Sequence, residues 1–215
     1  MPQVEEYREG GVHGFLHRAT GLAGDALAIT HGAGGNCETP LLIAVSDAFA
    51  LSGVSVLRFD LPFRQKRAYG PPHAGSAAVD RAGLKHAVSA LRVMVPGRVF
   101  LGGQSYGGRQ ASLLAAEEHD VAHGLLLLSY PVHPPGKPEA LRSSHFPSLR
   151  IPSLFIQGSR DPFGSLEEVQ KALTLIPAPA LLMEIGNAGH DLARGKFDIK
   201  RQVVEPFLIL LQARA

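Results

Sequence analysis

Short, uninterrupted runs of apolar residues recur along the chain, separated by longer segments with apolar positions at helical spacing. Apolar runs without polar alternation are typical of strands buried on both faces, as in a parallel sheet covered by helices. Strands are predicted at 26–30, 54–59, 99–101, 124–129, 152–157 and 180–185, and helices at 41–51, 77–93, 109–118, 166–175 and 203–212. The predicted fold class is therefore α/β, with a mostly parallel central sheet and helices on both of its faces.

The remaining segments connect these elements. Residues 11–18 are predicted as a strand at a sheet edge, followed by a turn at 22–25. Residues 60–76 are predicted as a loop because they are rich in proline and glycine. Residues 130–150 are a second loop with a short helical turn, too short to form a large lid over a site.

The strand at 99–101 leads into a G-x-S-x-G pattern with Ser105 at its centre. Gly102 and Gly103 are predicted to end the strand, and a helix follows. A serine on a tight strand-to-helix turn presents its hydroxyl outward, and flanking glycines let the strand and helix approach each other. The helix N-terminus adds partial positive charge that favours an oxyanion. This context predicts that Ser105 is a catalytic nucleophile and not an idle surface serine.

A serine nucleophile needs a general base, and the base needs an acid that orients it. His190 lies in a small loop directly after the last predicted strand, at the sheet edge where Ser105 is expected. Asp161 follows the preceding strand in the same way, and the order Ser, Asp, His is that of α/β-hydrolase triads. Asp161 and His190 are therefore the predicted acid and base, with Asp191 and Asp60 as alternative acids.

The reaction also needs hydrogen-bond donors for the oxyanion. The backbone N–H of Tyr106, directly after the nucleophile, is the first predicted donor. The loop at 31–35, with the sequence HGAGG, supplies the second; the N–H of Ala33 is favoured and that of Gly34 is the alternative. The loop matches neither common nucleotide-binding glycine pattern, so a phosphate-cradling role is disfavoured.

The composition of the chain excludes several classes of protein. The 215 residues are 45% hydrophobic and 19% charged and contain no linker or repeat, which predicts one domain over 1–215. A net charge of +2 without long basic runs argues against nucleic acid, and no apolar stretch is long enough for a membrane span. The lone Cys37, expected to be a small buried residue, and an N-terminus unlike a signal peptide favour a cytoplasmic protein. Because no Cys/His cluster has metal-ligand spacing, neither a metal nor another cofactor is expected.

Basic residues follow the strand at 54–59 on the side of the predicted site. Arg64 and Arg67 are candidate contacts to an acidic substrate group. A solvated loop is the favoured alternative for both arginines.

Five ordered motifs resemble those of α/β-hydrolases, close to a small dienelactone-hydrolase-like group that includes the testis-expressed hydrolase-like proteins. The motifs are THGAGG at 30–35, RFDLPF at 58–63, GGQSYGG at 102–108, QGSRDPFG at 157–164 and GNAGHDL at 186–192. The resemblance implies a minimal α/β-hydrolase fold without a large lid, and it implies the same triad of Ser105, Asp161 and His190. Dienelactone hydrolases proper use a cysteine nucleophile, so their substrate is not carried over to this chain.

The sequence therefore predicts a metal-free serine hydrolase that cleaves an ester, thioester or related acyl bond of a small molecule through an acyl-enzyme. The alternative is a hydrolase-fold interaction protein whose triad is idle. Acyl chain length, leaving group and oligomeric state are not predicted.

Overall fold

Eight strands form one sheet among residues 2–21, 24–73 and 75–212, which the computed structural model describes. The strands are β1 (Val4–Glu9), β2 (Val12–His17), β3 (Asp25–Thr30), β4 (Val54–Phe59), β5 (Val99–Gln104), β6 (Leu125–Leu128), β7 (Ser153–Gly158) and β8 (Ala180–Ile185). Their order is β1-β2-β4-β3-β5-β6-β7-β8, with β1 antiparallel to β2, β2 antiparallel to β4, and the rest parallel. The carboxyl ends of β3 to β8 therefore open at the same edge of the sheet, where ligands bind in sheets of this kind.

Six α-helices connect or follow the strands. They are α1 (Pro40–Leu51), α2 (Pro62–Lys66), α3 (Ser76–Met94), α4 (Tyr106–Glu117), α5 (Leu166–Leu173) and α6 (Glu205–Gln212). Short 3₁₀ turns lie at Phe146–Ser148 and Leu192–Gly195, and a π-helical turn at Lys200–Val204 leads into α6. Across the described residues, every helix is too short or too polar to span a bilayer.

Alternate side chains of the strands pack into two apolar layers, one on each face of the sheet. In β3, Ala26 and Ala28 pack into the layer formed with α3, α4 and α5, whereas Leu27 and Ile29 pack into the layer formed with α1 and α6. This alternation follows from the two-residue period of a strand, and it explains why the parallel strands are apolar at most positions on both faces. The three layers confirm the predicted α/β class with a mostly parallel sheet and helices on both faces.

The amino-terminal part of the sheet differs from the prediction. Residues 11–18 contain a strand, but β1 pairs outside it and holds the edge. In β1 only Tyr7 is buried and the other side chains are mostly charged, as is common on edge strands, so the hydrophobic signal was too weak to predict it. The predicted loop at 60–76 contains the short helix α2, and residues 22 and 23 of the predicted turn at 22–25 lie outside the described residues.

The strand before the nucleophile is longer than predicted. It continues through Gly102 and Gly103 to Gln104, and α4 begins at Tyr106, so the prediction that the two glycines end the strand is wrong. A Cβ atom on Gly103 would lie only 2.6 Å from the carbonyl carbon of Gly107. Glycine is therefore needed at this position because α4 packs directly against the end of β5.

Candidate active site

Ser105 is the single residue between β5 and α4. Its backbone has φ 50° and ψ −113°, a conformation that residues other than glycine rarely adopt and that costs about 1–3 kcal/mol. Its N–H donates to the Leu128 carbonyl oxygen at 2.8 Å, and its own carbonyl accepts from the N–H of Arg109 at 2.9 Å. A Cβ atom on Gly107 would lie 2.5 Å from the His31 carbonyl oxygen, so glycine also lets α4 approach the loop after β3. The surrounding backbone thus maintains a strained turn that carries the serine hydroxyl.

Three side chains from three loops form one chain of hydrogen bonds. Nε2 of His190 lies 2.8 Å from Oγ of Ser105, and Nδ1 of His190 lies 2.8 Å and 3.0 Å from the two carboxylate oxygens of Asp161. These loops follow β5, β7 and β8, whose carboxyl ends share one edge of the sheet. The structure therefore brings together the three residues that the sequence singled out for a triad.

The acid and the base are held by further contacts. The Asp161 side chain is fully shielded from solvent, and one of its oxygens also accepts the N–H of Phe163 at 2.9 Å. The Phe163 ring stacks on the His190 imidazole with 4.1 Å between ring centres. Nε2 of Gln104 donates to the His190 carbonyl oxygen at 3.3 Å. These contacts limit the orientations open to the imidazole, which a proton-transferring base requires.

The two alternative acids are engaged elsewhere. Asp60 accepts the N–H of Cys37 at 2.7 Å and lies 3.5 Å from the imidazole of His31. Asp191 accepts the N–H of Ala193 at 3.1 Å. The carboxylate bonded to the His190 ring is thus that of Asp161.

The predicted oxyanion loop forms a tight turn beside the serine. The N–H of Gly35 donates to the Gly32 carbonyl oxygen at 3.1 Å, which places Ala33 and Gly34 at the tip of the turn. Ala33, Gly34 and Tyr106 all line the same cavity as Ser105. Tyr106 is the first residue of α4, and N–H groups in the first turn of a helix have no acceptor within the helix. The residues of both favoured donors thus lie at the cavity.

Buried His31 supports the oxyanion loop from behind. Its Nε2 accepts the N–H of Leu61 at 3.1 Å, so its Nδ1 carries the proton and donates to the Gly32 carbonyl oxygen at 2.8 Å. Burial lowers the pKa of this imidazole, which keeps the neutral form that these two bonds require.

The structure places Arg64 away from the position expected of a substrate contact. Its side chain is buried, and it donates to the carbonyl oxygens of Gly35 at 2.7 Å, Ala33 at 2.9 Å, Gly70 at 3.0 Å and Arg67 at 3.1 Å. It is therefore not part of a solvated loop either. Its guanidinium group ties the oxyanion loop to the segment after α2, a function that depends on carbonyl positions that the sequence does not reveal.

Arg67 supports a neighbouring segment. Its guanidinium group contacts the His73 ring at 2.9 Å and donates to the Pro71 carbonyl oxygen. Pro71 lines the cavity, whereas Arg67 is not among the lining residues. Its observed contacts are therefore with the proline segment, and a contact between Arg67 and a substrate stays a prediction.

A cavity of about 690 Å³ opens above Ser105 and the oxyanion loop. Its size suits a small molecule. Sequence reasoning missed several residues of its wall, among them Pro71, Arg109, Arg142 and Phe163. Pro71 and Arg142 reach the wall through the packing of loops that are distant from Ser105 in sequence, so no local signal identified them. Arg109 and Phe163 lie within four residues of Ser105 and Asp161, and this proximity is the signal that could have found them. Among the described residues, no group of three or more His, Cys, Asp or Glu side chains is arranged to hold a metal ion.

Cys37 lies near the oxyanion loop but is not a second nucleophile. It is buried, and burial is the main cause that raises the pKa of its thiol to about 12. The thiol therefore stays protonated near neutral pH, whereas nucleophilic cysteines act as thiolates.

Comparison with known proteins shows which family the chain belongs to. The family model described as alpha/beta hydrolase domain matches residues 23–202. The chain belongs to the α/β-hydrolase family. Solved structures agree with this α/β-hydrolase fold over nearly the whole chain. A protein from Thermus thermophilus is 22% identical, with a TM-score of 0.74 and 100% of both chains covered.

Two further solved structures are similar to this α/β-hydrolase. The dienelactone hydrolase of Anabaena variabilis is 19% identical, with a TM-score of 0.70, and the match covers 99% of this chain and 95% of that chain. Est1E of Butyrivibrio proteoclasticus is 17% identical, with a TM-score of 0.73, and the match covers 98% and 99% of the two chains. At these identities the likeness establishes the shared fold.

Proposed function

We propose that the chain is a serine hydrolase that cleaves an ester, thioester or related acyl bond of a small molecule. One observation carries the proposal: the continuous hydrogen-bonded chain from Ser105 through His190 to the buried carboxylate of Asp161, with both ring nitrogens at 2.8 Å from their partners. Membership of the α/β-hydrolase family supports the hydrolytic class.

The geometry suits acyl transfer through a covalent intermediate. Oγ of Ser105 attacks the acyl carbonyl carbon while Nε2 of His190 accepts the hydroxyl proton. The same proton passes to the leaving group as the acyl bond breaks, which leaves an acyl-enzyme. A water molecule then attacks the acyl carbon, again with His190 as base, and releases the acid and the serine hydroxyl. Asp161 accepts the Nδ1–H bond throughout and stabilises the imidazolium that forms in each step.

The developing oxyanion would be bound by the backbone N–H groups of Ala33 and Tyr106, two residues that line the same cavity as Ser105. Such donors act most strongly on the charge that develops in the transition state. Gly34 remains the alternative to Ala33. The N-terminal end of α4 adds partial positive charge at the same position.

An interaction protein with an idle triad is the competing function. Strain at Ser105 and the desolvated carboxylate of Asp161 both cost stability. A protein without catalytic activity gains nothing from backbone strain or from a buried carboxylate. Such destabilising features are typical of functional sites. The strained turn and the aligned triad therefore favour the enzyme.

Turnover of p-nitrophenyl acetate tests the proposed function. The wild type should hydrolyse it, and Ser105→Ala and His190→Ala should each lower kcat by about 10³-fold or more. Ser89→Ala is a matched control because Ser89 is exposed on α3 and outside the cavity. Full activity in Ser105→Ala, or no turnover by the folded wild type across short-chain esters and thioesters, would contradict the proposal.

A further inference from the structure

Buried arginines elsewhere in the described chain have partners for their charge. Arg58 donates from Nε to Nε2 of His17 at 2.7 Å and from Nη1 to the Cys37 carbonyl oxygen at 2.8 Å. Arg64 donates to four carbonyl oxygens. A guanidinium group stays charged in proteins, so its removal from water is costly unless such partners replace the lost hydration.

Arg109 and Arg142 depart from this pattern. Both are half-buried, and both line the cavity beside Ser105. Nε of Arg109 is shielded from solvent and has no hydrogen-bond partner. Among the ion pairs and cation–π contacts of the described residues, none includes either arginine. The cavity wall therefore carries two positive charges that the protein itself does not neutralise.

Hydrogen bonds hold the backbones of both arginines in place. Arg109 lies in the first turn of α4, four residues after Ser105, and its backbone N–H donates to the Ser105 carbonyl oxygen at 2.9 Å. The N–H of Arg142 donates to the Val132 carbonyl oxygen at 2.7 Å, and its carbonyl accepts from the Tyr130 hydroxyl at 2.8 Å. These bonds hold the two backbones from which the side chains reach the cavity that Ser105 also lines.

The two side chains also repel each other. Burial is the main cause that lowers the pKa of Arg142, and the positive charge of Arg109 lowers it further. The same two causes lower the pKa of His145 to about 4, so this ring is neutral near pH 7. Asp191, an acid that also lines the cavity, forms its ion pair with Arg194 at 3.5 Å. A bound anion would remove the repulsion that the folded protein leaves in place.

We infer that Arg109 and Arg142 form a subsite for a carboxylate of the substrate. A guanidinium group binds a carboxylate through two parallel hydrogen bonds, which gives orientation as well as affinity. The inference rests on the proposed function and names its substrate class: acyl esters or thioesters that carry a second, ionised carboxyl group close enough to the scissile bond for both to occupy the one cavity. A neutral ester leaves the two charges unmatched.

Binding to the Ser105→Ala protein tests the subsite without turnover. Calorimetric titration compares monomethyl adipate, which has one carboxylate, with the neutral dimethyl adipate. We expect the monoester to bind at least about tenfold more tightly. Added Arg109→Gln or Arg142→Gln should abolish this preference, and added Arg160→Gln should retain it, because Arg160 is exposed and outside the cavity lining. Circular dichroism verifies that each protein is folded.

The titration has two outcomes that overturn the inference. One is equal affinity for the monoester and the diester in the Ser105→Ala protein. The other is a preference for the monoester that survives in both Arg109→Gln and Arg142→Gln. Either result would mean that the arginines do not receive a carboxylate.

Turnover separates this inference from the proposed function. With Ser105 intact, mono-p-nitrophenyl adipate should show a kcat/KM at least about tenfold above that of p-nitrophenyl methyl adipate, and the ratio should fall toward one in Arg109→Gln. Equal kcat/KM for both esters overturns the carboxylate subsite and leaves the hydrolase proposal standing. Hydrolysis of neither ester counts against the hydrolase proposal, and the titration still decides the subsite.

Discussion

Replacement of Arg64 by methionine would remove the support of the oxyanion loop while keeping much of the apolar stem. The guanidinium group makes four hydrogen bonds to carbonyl oxygens at 2.7–3.1 Å, two of them on Ala33 and Gly35 of the loop itself. Arg64 is only 5% exposed, so water cannot easily take its place. Arg64→Met therefore leaves several carbonyl groups without their donor and releases the loop toward the cavity.

The expected loss of stability is about 3–5 kcal/mol. A hydrogen bond to a charged group contributes about 1.5–3 kcal/mol, but four bonds to one group are not additive, and carbonyls at the surface regain water. The chain has no tryptophan, so urea unfolding followed by circular dichroism measures the free energy of unfolding. Displacement of one oxyanion donor should also lower kcat on p-nitrophenyl acetate by about 10²–10³-fold.

Arg160→Met is the matched control for Arg64→Met. It makes the same chemical change at an exposed position, and its free energy of unfolding should stay within about 0.5 kcal/mol of the wild type. If Arg64→Met were equally harmless and retained its kcat, the assignment of Arg64 as the support of the loop would be refuted. If Arg64→Met raised KM only for acidic substrates, Arg64 would contact substrate after all.

Three further predictions test the site and its surroundings. Asp161→Asn should keep the fold and lower kcat on p-nitrophenyl acetate by about 10⁴-fold, because the amide no longer holds His190 in the required tautomer. Ser105→Gly should have a free energy of unfolding about 1–2 kcal/mol above that of Ser105→Ala in urea titrations, because glycine adopts a φ of 50° without strain; a more stable alanine variant would contradict this. His145 has a folded-state pKa of about 4, below the unfolded value of about 6.5, so its contribution to stability is complete above pH 6.5 and is lost as pH falls toward 4, by up to about 1.4 kcal/mol per pH unit. His145→Gln should therefore lose less stability than the wild type between pH 6.5 and 4 in urea titrations, and an equal loss would refute the assignment.

The fold class was predictable because the hydrophobic pattern follows the layers directly. Strands covered on both faces are apolar at most positions, and such runs stand out in the sequence. β1 escaped prediction for the opposite reason, since it buries only Tyr7 in a charged segment. The glycines after 101 were misinterpreted because a glycine that permits close packing looks the same in sequence as one that ends a strand.

The candidate site was predictable where topology alone positions a residue. Ser105, Asp161 and His190 each follow a parallel strand, so the sheet brings their loops to one edge. The roles of the arginines could not be predicted from the sequence. The role of Arg64 depends on where carbonyl oxygens point, and the meeting of two arginines at the cavity depends on how the segment after β6 folds over α4. Neither relation leaves a local pattern in the sequence.

Covalent labelling with a fluorophosphonate is the most direct test of the central claim, that the aligned triad makes Ser105 a nucleophile. The folded wild-type protein is incubated with the probe, and mass spectrometry of the intact chain and of its peptides locates the adduct. We predict one adduct per chain, on the peptide that contains Ser105, and no adduct in Ser105→Ala. An unlabelled wild type, or an adduct on another residue, would contradict the account.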